Sequence, residues 1–86
     1  MDNKEREEKL KKLENPSVGM RRQFELIDQA ALGNIEAAAD LGEGYFKGLF
    51  DAPPNYRKAK KWSVYAAKRG SVKALIIMAE LEKLGY

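Results

Sequence analysis

The stretch Ile35–Gly70, IEAAADLGEGYFKGLFDAPPNYRKAKKWSVYAAKRG, decides the fold, because its small residues recur 37 positions away along the chain. Gly33 is matched by Gly70, Ile35 by Val72, Ala37 by Ala74, Leu41 by Met78 and Gly48 by Gly85; looking backward, Ala67 is matched by Ala30. Self-similarity at such a period is the mark of a repeat architecture. A helical repeat unit cannot bury its apolar face alone, so repeats stack, and their function is usually recognition across the stacked surface rather than chemistry in a pocket.

Working outward, the pattern predicts five helices and no strand. Asp2 to about Glu14 is a charged segment whose only apolar residues are Leu10 and Leu13, closed by Asn15-Pro16 because a residue before proline is pushed out of helical geometry. It reads as a helical arm, residues 1–16, ahead of a domain at 17–86. Ser17 is the expected cap of the next helix, in which Met20, Phe24, Ile27 and Ala31 share one stripe and Arg21, Glu25 and Asp28 lie opposite. Gly33-Asn34 makes a turn into Ile35–Lys47, where Glu36, Asp40, Glu43 and Lys47 form one narrow polar stripe on a surface otherwise small or apolar, a helix that must pack on two sides. Pro53-Pro54-Asn55 starts the next, with Asn55 as cap and Ala59, Trp62, Ala66 and Gly70 toward the core. In the last helix Val72, Leu75, Ile76 and Ala79 occupy one side and Ala74, Ile77, Met78, Leu81 and Leu84 the other.

In order, Ala37-x-x-x-Leu41-Gly42-x-x-Tyr45-x-x-Gly48 and then Lys58-Ala59-x-x-Trp62-x-x-x-Ala66-Ala67-x-x-Gly70 resemble the Sel1-like repeat, a relative of the tetratricopeptide repeat built from an A and a B helix. One full unit is present, preceded by the likeness of a B helix and followed by that of an A helix, so the resemblance covers roughly four-fifths of the chain. It departs at Asn55, where the family usually has an aspartate, in a slightly longer connection from Gly48 to Asn55, and in Met78-Ala79 in place of Leu-Gly. The resemblance implies a short right-handed α-solenoid of antiparallel helix pairs and a scaffold or adaptor role. At this brevity it suits a compact binder or inhibitor, of the kind small mobile-element genomes encode.

At 86 residues the core is marginal, since a chain this short buries only ~60% of the surface it exposes when unfolded. With no cysteine and no histidine, neither a disulfide framework nor a conventional zinc site can stiffen it, and self-association or a partner is the natural remedy. The charged start and the shortness of the apolar run from Ala74 to Ala79 point away from a secretory signal and a membrane span, toward a cytoplasmic protein with no membrane partner.

Charge is uneven. Between Ala52 and Ala79 lie Arg57, Lys58, Lys60, Lys61, Lys68, Arg69 and Lys73 with no acidic residue, against a net charge of +3 for the whole chain. Arg57, Lys58, Lys61, Tyr65, Lys68, Arg69 and Lys73 are therefore the candidate partner-binding face, which would steer an acidic protein surface or, less favoured because Trp62 sits at a core position, nucleic acid. The plain alternative is the solvated outer side of a helix. Ala74, Ile77, Met78, Leu81 and Leu84 form the candidate assembly face, for a second copy, a partner's groove or a larger assembly in which the chain is a structural subunit. Ile77, Leu81 and Leu84 would each contribute about 1.5–3 kcal/mol if so covered.

Chemistry finds little footing. Glu36, Asp40 and Glu43 share a helical face, but carboxylates at that spacing are usually solvated, and Gly42-x-Gly44-x-x-x-Gly48 lacks the preceding strand a phosphate loop requires. Those glycines instead suit close helix packing. Without histidine or cysteine a nucleophile and base are hard to assemble, so the expectation is no enzyme, no cofactor and no metal.

Overall fold

The computed structural model describes residues 16–86, and the expected arm lies outside them. Among the described residues the chain is all α, with α1 at Val18–Ala31, α2 at Ile35–Lys47, α3 at Tyr56–Lys68 and α4 at Val72–Lys83. Each start is capped by the residue type the sequence offers there. The side chains of Ser17, Asn34, Asn55 and Ser71 accept hydrogen bonds from the amides of Met20, Ala37, Lys58 and Ala74 at 3.1–3.2 Å.

The 37-residue recurrence extends to the backbone. Gly33 and Gly70 both adopt left-handed φ, 96° and 97°, which a side chain rarely tolerates. Their amides donate to the carbonyls of Ala30 and Ala67, and the next amides, of Asn34 and Ser71, donate to those of Gln29 and Ala66. At the following turn the bond from the Leu49 amide to the Gly44 carbonyl is repeated by that from Tyr86 to Leu81. The same turn and the same cap are thus made twice.

Helix α2 is central and packs against all three others. It can do so because it is nearly stripped of bulk: Ala37, Ala38, Ala39, Leu41, Gly42, Gly44 and Tyr45 are all buried. A β-carbon on Gly42 would lie 2.4 Å from the Ser63 hydroxyl of α3, and one on Gly44 would meet the Phe50 ring. The inner faces of α3 and α4 follow suit, with Ala59, Ser63 and Ala66 on one and Ala74, Ile77 and Leu81 on the other. Gly70, expected toward the core, is instead exposed in its turn, and Ser63 takes a core place that the pattern had not assigned.

Helix α1 is rotated from its expected face. The structure buries Gly19, Leu26 and Ala30 rather than Met20, Phe24 and Ala31, and leaves Phe24 46% exposed. Two polar tethers account for this. Asp51, in the loop after α2, accepts a 2.8 Å hydrogen bond from the Gly19 amide, and Gln23 donates at 2.8 Å to the Tyr45 hydroxyl. Both fix the 19–23–26–30 side of α1 against α2 and its following loop.

Asp51 therefore acts as a distant second cap on α1. Its hydrogen bonds from the Ser17 hydroxyl and then the Gly19 amide hold its carboxyl below the usual carboxylate range. With the folded value lowered, this stabilisation is present above the ordinary carboxylate pKa of about 4 and is lost as pH falls through the folded value. Thermal denaturation should show a larger loss of melting temperature on acidification below about pH 4 in wild type than in Asp51→Asn. Gly19→Ala should destabilise at every pH, because its β-carbon would lie 2.7 Å from the Asp51 backbone nitrogen. The Ser63 hydroxyl is buried without a hydrogen-bond partner among the described residues. Ser63→Ala should accordingly raise stability by about 1 kcal/mol in urea unfolding, by relieving an unsatisfied group.

Candidate functional site

The outer side of α3 is set by the inner one. With Ala59, Ser63 and Ala66 turned to the core, the 3.6-residue period puts Arg57, Lys61, Val64 and Lys68 outward and Lys58, Trp62, Tyr65 and Arg69 along one flank. Arg57, Lys58, Lys61, Lys68 and Arg69 are all exposed, while Trp62, Val64 and Tyr65 are half-buried. Lys61, Trp62, Val64, Tyr65, Lys68 and Arg69 together line a shallow groove with an apolar floor and a cationic rim. Val64 and Trp62 were not among the expected site residues. The sequence held the signal for Val64 in its place between Lys61 and Lys68, whereas Trp62 both packs on the core and reaches the groove.

The groove's aromatic side chains are engaged with one another. The Trp62 and Tyr65 rings meet edge to face at 6.1 Å. The Arg69 guanidinium lies 3.6 Å from the Tyr65 ring centroid, and its Nη1 donates at 3.0 Å to the Tyr65 carbonyl. One ring face of Tyr65 is thus covered by a cation, a pairing that stiffens the rim. Lys58 leans instead toward the Tyr45 ring, and Lys60 donates at 3.0 Å to the Tyr86 carbonyl.

Lys73 belongs elsewhere, and its place on the candidate face is corrected. Its ammonium sits 2.7 Å from Asp40 and 3.1 Å from Glu43, across α2. The hydrogen bond with Asp40 is the main cause of a pKa raised above the ordinary lysine value. Asp40 also faces Arg22 at 3.8 Å, and Glu43 pairs with Lys47 at 3.4 Å as its spacing predicts. Asp40 and Glu43 of the acidic stripe are therefore neutralised from three helices. None of Arg57, Lys58, Lys61, Lys68 or Arg69 has a carboxylate partner among the described residues, so their positive field is uncompensated there.

The candidate assembly face needs a larger correction. Ala74, Ile77 and Leu81 are buried at 0%, 5% and 1% exposure inside the domain, and Met78 is half-buried, because α2 and α3 both pack on this side of α4. Only Leu84 of the expected set is exposed. The open apolar side is the other one: Val72, Leu75 and Ile76 are 69%, 53% and 58% exposed.

Among the described residues no cluster of acidic side chains could hold a metal ion, and no helix is long and apolar enough to cross a membrane. No protein-family model, curated protein or solved structure matches this chain.

Lys73→Met should lower stability by roughly 0.5–1 kcal/mol in urea unfolding, the scale of an exposed ionic cluster. A loss of several kcal/mol would show instead that Asp40 and Glu43 are positioned by Lys73 alone.

Proposed function

We propose that the chain is a small non-enzymatic protein-interaction module, an adaptor or inhibitor, that receives an acidic protein surface on the outer side of α3. The observation that carries this reading is the uncompensated row of Arg57, Lys61, Lys68 and Arg69 around the half-buried Trp62, Val64 and Tyr65. A rim of fixed cations attracts and orients a partner over a distance, and an apolar floor supplies the contact that survives screening. The groove is open and shallow, which suits a protein surface better than a small molecule.

The architecture is read as a short right-handed α-solenoid of antiparallel helix pairs related to the Sel1-like repeat. Support comes from the recurrence of turn, cap and left-handed glycine at Gly33 and Gly70, and from the antiparallel neighbours implied by the Asp51–Gly19 and Lys60–Tyr86 hydrogen bonds. The absence of histidine and cysteine supports a non-enzymatic, cofactor-free role.

Nucleic acid is the less favoured occupant, since Arg69 already covers one face of Tyr65 and Trp62 packs partly on the core. A photo-crosslinking residue at position 64, placed in the cell of origin, decides the matter. A protein adduct is expected, and it should disappear when Lys61 and Lys68 are changed to glutamate. A nucleic-acid adduct, or duplex binding tighter than about 1 μM at physiological salt with a steep salt slope, would overturn the reading.

A further inference from the structure

We propose that a second copy of this chain covers the open side of α4, forming a two-fold pair centred on Val72, Leu75 and Ile76. Helix α4 is apolar on two sides. Ala74, Ile77 and Leu81 are consumed by the domain's own core, whereas Val72, Leu75 and Ile76 stay more than half exposed, with Ala79 beside them. Among the described residues nothing lies over them.

The internal recurrence says what kind of object belongs there. The positions 37 residues earlier are Ile35, Ala38 and Ala39, with Gly42 matching Ala79. Ala38, Ala39 and Gly42 are buried, and Gly42 is in close approach to Ser63 of α3. This side of the repeat is therefore a seat for a helix. On α4, however, leucine and isoleucine stand where α2 has alanine, so no helix can approach it as closely as α3 approaches α2. Bulky ridges pack at wider spacing into the grooves of a similarly bulky helix, and α4 itself is such a helix.

The opposite end of the stack selects the symmetry. On α1 the positions equivalent to the core-facing Ala59, Ser63 and Ala66 of α3 are Arg22, Leu26 and Gln29; Leu26 is already buried, and Arg22 and Gln29 are exposed with Glu25 beside them. Head-to-tail stacking of copies would press Arg22, Glu25 and Gln29 against the apolar side of α4, and Glu25 and Gln29 would meet no polar partner there. A two-fold pairing of α4 with its counterpart avoids this, because an isologous contact sets the same patch against itself and closes at two copies. Charge does not oppose it. Lys73 is held by Asp40 and Glu43, and Lys83 by Glu80 at 3.3 Å, while Glu36 and Arg69, which line one groove with Val72, are of opposite sign.

Sedimentation velocity on the full chain, from low to several hundred micromolar, should approach twice the 9.7 kDa chain mass and change little with salt. Leu75→Glu with Ile76→Glu should give a monomer with an unchanged far-ultraviolet circular dichroism spectrum, both positions being exposed. The chain has no cysteine, so Ile76→Cys supplies one thiol near the two-fold axis, and mild oxidation should link two copies, whereas Phe24→Cys on α1 should not. A monomer at all concentrations would overturn the proposal and assign the face to residues 1–15 or to a foreign helix. A dimer that persists in the glutamate variant, or cross-links equally through Phe24→Cys, would also overturn it. Reversing charge at Arg57, Lys61 and Lys68 should leave the mass unchanged, which separates this interface from the basic face of α3.

Discussion

The close approach of α3 to α2 at Gly42 and Ser63 is the constraint on which the rest of the domain depends. A β-carbon at position 42 would meet the Ser63 hydroxyl at 2.4 Å, so the two helices are held at a spacing that leaves no room for a side chain at position 42. Small side chains bury little area each, and the domain compensates by putting many of them in contact: Ala37, Ala38, Ala39, Ala59, Ala66 and Ala74 all lie in one core with Leu41. Dispersion over so many close contacts substitutes for the bulk that an 86-residue chain has little room to bury. The same closeness explains why α2 can touch three helices, and hence why its one polar stripe is crowded by cations from α1 and α4.

That crowding organises the charge of the molecule. Asp40 and Glu43 draw Lys73 and Arg22 toward α2, and Arg57, Lys58, Lys61 and Lys68 on α3 have no carboxylate partner among the described residues. The basic face is thus a consequence of which helix carries the acids, not only of how many lysines the segment contains. Exposed pairs of this kind contribute little to stability, on the order of 0–1 kcal/mol each, so the arrangement matters more for the field it leaves outside than for holding the fold.

Much of the architecture was legible because caps and turns are local. Ser17, Asn55 and Gly33 could be read from residue type alone, since a left-handed turn favours glycine and an exposed helix start favours a short polar side chain, whereas Gly70, expected toward the core, makes the second such turn. The glycines of α2 were legible as packing devices for the same reason. What was not legible was rotation. In α4 both sides are apolar, so periodicity distinguishes two faces but cannot say which of them α2 and α3 will take, and Ile77 and Leu81 are buried where Leu75 and Ile76 are not. In α1 the hydrophobic stripe pointed one way, but the face was chosen by Asp51 and Tyr45, partners more than twenty residues distant. Lys73 was misplaced similarly, because its carboxylates lie on another helix.

The two surfaces that remain obey different physics, and their adjacency has a consequence. The outer side of α3 is a screened electrostatic surface, whose attraction for a partner weakens within about 10 Å at moderate salt, whereas the open side of α4 is apolar and insensitive to salt. A single cationic ridge of solvated lysines gives weak binding by itself, because each ion pair offsets its own desolvation and ordering. If two copies meet through α4, each brings its ridge, and a partner offering two acidic surfaces at matching separation engages the second at a high effective concentration. The apolar face would then set the valence and the basic face the choice of partner, so that neither surface alone would determine affinity.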